Sequence, residues 1–343
     1  LESHGRADGR ACGRCLKLIL DKRAVCNRQE MMKTKEQPDL SVILVNWNSL
    51  DLTSNALASL KEKTQGISYE VFVVDNGTTK DESVTELPRR FPWIKFIANP
   101  DNRGFSKANN QGIRESRGRY VLLLNNDTIQ IENALGEAVK YMDAHGDVGA
   151  LGILHLNNDA EKTFQLSSFT FPRPWPEVLG LLGIGRHNAP APAQTSPPPE
   201  QDVDWICGSF LLMRRACLEQ VGELDERFFI YDEDIDWCLH AHRAGWKVRY
   251  WPGAAMIHVG AAARPYMKDK TFVHFRSHLS YIRKNQSQTA AALYYIAMGA
   301  RLGMATIKQG ARYAIGRATF EELRQRYTRQ MQFLGLRSGR AGG

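Results

Sequence analysis

The chain has 343 residues, 43% apolar and 24% charged, an ordinary globular composition with room for one large or two modest domains. Six cysteines are too few for a disulfide scaffold of this length, so a reducing cytoplasm is the default compartment. The net charge of +8 is unevenly spread: residues 1–38 carry +4 and residues 261–343 carry +12, which leaves 39–260 at −8. An acidic body followed by a basic tail implies an anionic partner for the tail. Because the positive charge sits at the chain ends, a membrane surface fits that partner better than nucleic acid.

Residues 1–38 are basic and weakly periodic, and no small-residue cleavage site follows their short apolar run, Leu16 with Leu18–Leu20. Cys12 and Cys15 form a lone C-x-x-C without a second pair at zinc spacing. Met31 and Met32 stand just before the first good strand, and the preceding stretch is expected to be an extension outside the fold.

From Leu40 the pattern alternates. Ser41–Trp47 reads as a strand and Asp51–Lys63 as an amphipathic helix, with Leu52, Ala56, Leu57 and Leu60 on one side. Tyr69–Gly77 is a second strand, Asp81–Arg90 a short helix and Trp93–Asn99 a third strand. The turn Asn102-Arg103-Gly104 leads into a helix over Phe105–Ser116, then come a strand at Arg119–Leu124, a helix at Ile131–Ala144 and a strand at Val148–Leu154. Apolar, non-alternating strands separated by helices predict a mostly parallel sheet covered on both faces. After Leu156 the regularity fails. Phe171–Pro176 (FPRPWP) is expected to lack regular structure, and Ala189–Glu200 reads as an extended mobile loop, bounded at 186–203. Order is expected again at Val203–Arg215, with helices at Ala216–Val221 and Glu233–Ala244 and a strand at Lys247–Trp251. From about Lys268 the chain is helical and basic; Cys207, Cys217 and Cys238 lie in apolar surroundings and read as core.

Three strand ends carry the chemistry. Asn46, Trp47 and Asn48 follow the first strand, Asp75 the second, and Asn125, Asn126 and Asp127 the fourth. Carboxyl ends of parallel strands line the ligand crevice of open α/β sheets. There an aromatic ring can stack on a base and a carboxylate can accept from base or ribose, although a single Asp at such a place equally caps a turn. The sequence has neither G-x-G-x-x-G after the first strand nor G-x-x-x-x-G-K-[ST], so the diphosphate of a nucleotide would need a divalent metal, with Asp127 as a hard ligand. His258 is either a further ligand, favouring Mn²⁺ over Mg²⁺, or a structural histidine. Asp232, Glu233, Asp234 and Asp236 crowd one helix start between aromatic and apolar residues. The macrodipole accounts for some of them, and like charges beside apolar surface raise a carboxyl pKa as a general base requires.

The segments SVILVNWN, VVDNGT, NRGFSKANNQGI, YVLLLNNDT and the long block from Trp205 to Val248 resemble a family 2 glycosyltransferase of the rhamnosyltransferase-like branch, over roughly two-thirds of the chain. The resemblance implies the GT-A fold, a Rossmann-like, mostly parallel central sheet flanked by helices, here with a helical C-terminal extension. It implies a catalytic domain over 39–265, with a nucleotide-binding half at 39–127 and an acceptor half at 128–265, followed by a basic helical region at 266–343. Trp47 and Asp75 would hold base and ribose beside Asn46 and Asn48, and Asn102, Gly104 and Asn109 would line the donor site. Asn125-Asn126-Asp127 resembles the D-x-D motif, with Asp127 and His258 on the metal. Trp205 and Gly208 would border sugar and acceptor, and Asp234 of the Glu233-Asp234 pair would be the base. Two departures stand out: Asn125 replaces the first Asp, and His258–Arg264 (HVGAAAR) lacks the glycine-serine turn expected after the histidine.

The implied activity is inverting, metal-dependent transfer of a sugar, rhamnose from dTDP-rhamnose in the first instance, to a glycan or polyprenyl-diphosphate-linked acceptor in surface polysaccharide synthesis. Another nucleotide sugar (a UDP-linked hexose or galactofuranose) or an inactive nucleotide-sugar-binding protein are the alternatives. Thr289–Ala300 is an uncharged run of twelve residues, short of a membrane span, and Arg301, Lys308 and Arg312 recur beyond it at helical spacing. That pattern reads as a peripheral element on the inner face of the plasma membrane, or as a helix packed on the domain with solvated cations.

Overall fold

The computed structural model describes residues 37–181, 196–260 and 270–333. The expectations for the N-terminal extension and its C-x-x-C, for loop residues 186–195 and for 261–264 lie outside the described residues.

In chain order the first half is β1 (Leu40–Asn46), α1 (Leu50–Lys63), β2 (Tyr69–Asn76), α2 (Ser83–Arg90), β3 (Lys95–Asn99), α3 (Phe105–Glu115), β4 (Tyr120–Leu124) and β5 (Thr128–Gln130). There follow α4 (Ala134–Ala144), β6 (Val148–Leu156), β7 (Phe164–Gln165), β8 (Ser168–Phe169), α5 (Pro174–Leu181), β9 (Gln201–Asp202), β10 (Trp205–Ile206) and β11 (Phe210–Arg214). The last elements are α6 (Arg215–Val221), α7 (Glu233–Arg243), β12 (Lys247–His258), α8 (Lys270–Asn285), α9 (Gln288–Ala314) and α10 (Phe320–Phe333).

The main sheet runs β3-β2-β1-β4-β11-β6-β12-β5. β3, β2, β1 and β4 are mutually parallel, β11 is antiparallel to both β4 and β6, and β6 runs parallel to β12. The fold is thus the expected GT-A arrangement: a mostly parallel central sheet, helices on its faces and a helical C-terminal region. Strand order reverses at β1, whose neighbours are β2 and β4. A crevice opens outside the carboxyl ends at such a switch point.

The strands read as unbroken apolar runs because both faces are covered. Leu40, Val42 and Leu44 pack with Leu57, Leu60, Leu122 and Leu124 on one side, and Ile43 packs with Val121, Leu123, Leu211 and Trp237 on the other. Trp237 is almost fully buried and its Nε1 donates to Gly222 O at 2.9 Å, which fixes α7 against the sheet. Loss of such a ring from a core costs about 3–5 kcal/mol. A third apolar cluster joins Phe228 and Ile235 to Phe275, Leu279 and Ile282 of α8 and to Tyr294 and Met298 of α9. The C-terminal helices are therefore built onto the segment that carries the acidic cluster.

Several expectations need correction. Residues 174–176 of FPRPWP are helical, since they open α5: a proline in the first turn gives up an amide that has no intrahelical acceptor there. Gln201 and Asp202, placed in the mobile loop, pair with Tyr250 and Arg249 of β12, where Arg249 also bonds Glu200. β12 continues past Trp251 to His258, with a register shift between Trp251 and Ala255 that accommodates Pro252 and Gly253. The helix expected from Ile131 starts at Ala134, because Thr128–Gln130 instead pairs with the end of β12.

Candidate active site

One hydrogen-bonded chain ties the first, second and fourth strand ends together. Asn46 Nδ2 donates to Asp75 Oδ2 at 2.7 Å, Thr53 Oγ1 to Asn46 Oδ1 at 2.7 Å, and Asn126 Nδ2 to Thr53 Oγ1 at 2.9 Å. Asp75 is completely buried, and its other oxygen accepts from Thr78 N at 2.9 Å. Each oxygen of the carboxylate proposed for base or ribose thus accepts one bond within the chain, which fixes the orientation of Asp75 at the strand end. Asn48 is left-handed, with φ of 51°, and its Oδ1 accepts from the amides of Thr79 and Lys80 at 2.9 Å each. Such a conformation is open to Asn at little cost. Trp47 is half-buried, and among these first-strand residues it is the one with surface to offer a base.

The next turn is shaped by close backbone approach. Gly104 sits at φ 90°, and a Cβ there would come within 2.7 Å of Phe229 O, so only glycine lets the two segments meet. Phe105 N donates to that same Phe229 carbonyl. Asn102 Oδ1 accepts from Gly104 N and from Asn76 Nδ2, each at 3.0 Å. Asn109 is buried and donates to Phe105 O at 2.9 Å within its own helix, so it packs behind the site.

At the end of β4, Asp127 and His258 face one another with Oδ1 and Nε2 3.3 Å apart, and Asn125 Nδ2 lies 3.4 Å from the same imidazole nitrogen. Gln165 Oε1 accepts from His258 Nδ1 at 2.6 Å. In the neutral ring that bond puts the lone pair on Nε2, toward the carboxylate, as an amide or carboxylate partner does for ligating histidines. A divalent cation fits this donor pair: ligands about 2.1 Å from one ion and at right angles lie about 3 Å apart. Among the described residues no third His, Cys, Asp or Glu completes the set, so phosphate oxygens and water would fill an octahedron. His155 lies behind, its ring 5.8 Å from that of His258, fully buried and pushed down to about 3 by burial, hence neutral.

The acidic helix start is joined to this pair through the turn between β10 and β11. Asn125 N donates to Ser209 O at 3.1 Å, and the adjacent Gly208 N donates to Asp234 Oδ2 at 2.9 Å. Burial pushes Asp234 up to about 6, with the Asp232 charge adding to the rise and the Gly208 amide opposing it. Burial first, and then the Asp234 charge, hold Glu233 well above the ordinary carboxylate range, and its Oε2 is buried without a hydrogen-bond partner. Glu233 is thus the carboxyl that burial holds high, and Asp234 the one whose ionised form the Gly208 amide favours. The other two acids serve structure. Asp232 pairs with His278 of α8 at 2.9 Å, and Asp236 accepts from Lys284 at 2.6 Å and Asn285 at 2.7 Å.

Trp205 stacks on Phe169 at 4.4 Å between centroids and donates from Nε1 to Thr170 O at 3.0 Å, forming an aromatic platform three residues before Gly208. Strand ends, Asp127, His258, Gly208 and Asp234 thus belong to one bonded constellation; Asn109 and the carboxylate of Asp75 support it from within. Sequence reasoning did not single out Thr53, Gln165, Ser209 or His278. Each is polar and close to an apolar run, and no local pattern distinguishes it from a surface residue.

The profile of Glycosyl transferase family 2 matches residues 41–222. N-acetylglucosaminyl-diphospho-decaprenol L-rhamnosyltransferase of Mycobacterium tuberculosis is 27% identical over 242 residues, 64% of this chain and 75% of that one. Rhamnosyltransferase WbbL of Escherichia coli is 27% identical over 256 residues, 71% and 93% of the two chains. A solved mannosyltransferase of Pyrobaculum calidifontis, with GDP-Man and Mn²⁺, superposes at a TM-score of 0.48 with 17% identity over 92% of each chain. With the profile covering more than half of its length, the chain belongs to glycosyl transferase family 2.

Proposed function

We propose that this glycosyltransferase moves rhamnose from dTDP-rhamnose to a hydroxyl of a polyprenyl-diphosphate-linked glycan, with inversion, in cell-surface polysaccharide synthesis. The observation that carries the reading is a carboxyl poised at about 6, Asp234, bonded through the Gly208–Ser209 segment to the Asp127–His258 pair. The two rhamnosyltransferase relatives support the choice of sugar, and the decaprenol-linked substrate in one relative's name supports the lipid carrier.

In this reading the donor nucleotide lies in the crevice at the β1/β4 switch point, its base against Trp47 and its diphosphate toward Asp127 and His258. Asp127 and His258 would hold a divalent ion, Mn²⁺ or Mg²⁺, which would supply positive charge to the departing diphosphate. Asp234 removes the proton of the acceptor hydroxyl, which attacks the anomeric carbon from the side opposite the leaving group, so that one displacement inverts the centre. The Trp205–Phe169 platform borders the acceptor, and Gly208 leaves room beside the base, since a Cβ there would lie 3.6 Å from Asp234 Oδ2. The catalytic domain is taken as 39–265, and of the helices that follow it α9 meets the membrane. A donor panel followed by mass spectrometry, with Mn²⁺ and Mg²⁺ and a farnesyl-diphosphate-linked N-acetylglucosamine, tests this. Conversion of dTDP-rhamnose is expected; selective use of a UDP-linked hexose or galactofuranose would replace the donor assignment, and inertness toward all donors would indicate a binding protein.

The peripheral, cytoplasmic-face placement rests on α9. Ala291, Tyr294, Ala297 and Met298 are buried against the rest of the chain, whereas Ile296, Met304 and Ile307 are 64%, 52% and 74% exposed. At about 100° per residue these three span an arc of about 80°, bordered by Arg301, Lys308 and Arg312. An apolar stripe edged with exposed cations matches an anionic lipid surface. By length and composition α9 would also suffice to cross a bilayer, but Ala291, Tyr294, Ala297 and Met298 of its apolar half are packed against the rest of the chain. Each cation near an anionic surface contributes about 1 kcal/mol, so replacing all three by Gln is expected to weaken binding to phosphatidylserine vesicles on the order of 10²-fold. Unchanged cosedimentation of the triple variant would remove the membrane from the proposal.

A further inference from the structure

The segment that delivers the base is held in an unfavourable backbone state. Tyr231 and Asp232, immediately before α7, are consecutive non-glycine residues in the left-handed region, with φ of 74° and 69°. Such residues persist only where surrounding contacts over-determine them. Here the contacts come from both flanks. On one side Phe105 N reaches Phe229 O across Gly104, at the donor-site turn. On the other, two successive residues of α8 grip the turn at the strained pair: Ser277 Oγ donates to Ile230 O, just before it, at 2.7 Å, and His278 Nδ1 meets Asp232 Oδ2 at 2.9 Å. The His278–Asp232 pair is almost wholly buried, with side chains 7% and 3% exposed. One to two turns further along the same helix, Lys284 and Asn285 hold Asp236 in the first turn of α7.

We propose that His278 is a positioning residue for the base, and that α8 belongs to the catalytic apparatus as the clamp that sets the direction of Asp234. The inference rests on the reading of Asp234 as base. Its physical content is simple. α7 begins where Asp232 ends, so the left-handed turn fixes the origin and axis of the helix whose second residue is Asp234. Released from His278, the turn relaxes toward ordinary backbone angles and swings the carboxylate away from Gly208 N, while Trp47, Asp127 and His258 stay where the sheet places them. The consequence is a defect in turnover with little defect in donor binding.

The test is steady-state kinetics of transfer from dTDP-rhamnose, or from whichever donor the panel selects, to farnesyl-diphosphate-linked N-acetylglucosamine. His278→Ala is expected to lower kcat at least tenfold with donor KM within about twofold. His278→Asn, whose amide can donate from nearly the position of Nδ1, is expected to recover most of the rate. A merely structural role would lower the melting temperature without splitting kcat from KM, and a folded His278→Ala protein with normal kcat would overturn the proposal. If His278→Ala does not fold, Lys284→Gln carries the same test on a more exposed side chain: a fall in kcat at constant KM supports the clamp, and unchanged kcat refutes it. Failure of the base reading is separately visible, because Asp234→Asn would then remain active whatever the α8 variants do.

Discussion

Asp234→Asn is expected to lower transfer by about 10²–10⁴-fold, the range over which a positioned general base contributes. Donor affinity is expected to persist, because the crevice floor is held by Asn46, Thr53, Asp75 and Asn126, none of which contacts Asp234. The wild-type pH–rate profile follows from the same residue. A base must be ionised, so kcat should rise with pH and level off above about 6, where burial has placed the Asp234 carboxyl. Stability should move the other way. Where burial raises a carboxyl above its unfolded value, the folded chain holds the proton more tightly, and the group's contribution declines as pH climbs from about 4 to about 6. At neutral pH the ionised, half-buried Asp234 is thus a liability to the fold. Asn removes that charge yet can still accept from Gly208 N, so its melting temperature should equal or exceed that of the wild type. An inactive variant that also melts early would mean that the residue serves structure; an active one would remove the base assignment.

The parts of the site that were legible in the sequence are those that strands deliver. β1, β2 and β4 carry the apolar runs Val42–Val45, Val71–Val74 and Tyr120–Leu124 because both faces of the sheet are covered, and Asn46, Asp75 and the triplet Asn125-Asn126-Asp127 stand out as the polar groups that end those runs. The Glu233-Asp234 pair was legible because four acids among aromatic residues are costly and invite a reason. What the sequence could not convey is which polar group turns inward. Asp75 and Asp127 look alike at their strand ends, yet Asp75 spends both oxygens on Asn46 and Thr78, and Asp127 faces His258. The strands β7 to β10 are two residues each and carry no period, so Gln165 and the Phe169–Trp205 stack stayed hidden in an irregular stretch. The basic tail was read by its sum. His278 and Lys284 lie 46 and 48 residues from the acids they meet, a separation at which charge pattern says nothing of pairing. Part of the tail's charge therefore answers the acidic cluster of its own chain.

Asp127→Ala is expected to cost on the order of 10²–10³ in metal-stimulated turnover, comparable to the loss of one electrostatic donor at a developing anion. The argument turns on how few ligands the chain offers. Asp127 is the only acid of Asn125-Asn126-Asp127, and in the proposed reading it and His258 are the two protein donors, so removing it would leave a single imidazole, a poor holder of Mn²⁺ or Mg²⁺. The fold should survive, because the bond from Val259 N to Asp127 O and the bond from Asn125 N to Ser209 O are both made by backbone atoms. Gln165→Leu gives the graded companion: it takes the acceptor from His258 Nδ1 without touching either ligand, and partners of that kind are typically worth about 10–100-fold in metal affinity. Titration of Mn²⁺ against transfer rate, with Mn²⁺ binding followed by electron paramagnetic resonance, separates the two. The expected order of apparent affinity is wild type, then Gln165→Leu, then Asp127→Ala. If Asp127→Ala bound Mn²⁺ as well as the wild type, the cation would have to sit elsewhere, and the diphosphate would lose its assigned place between Asp127 and His258.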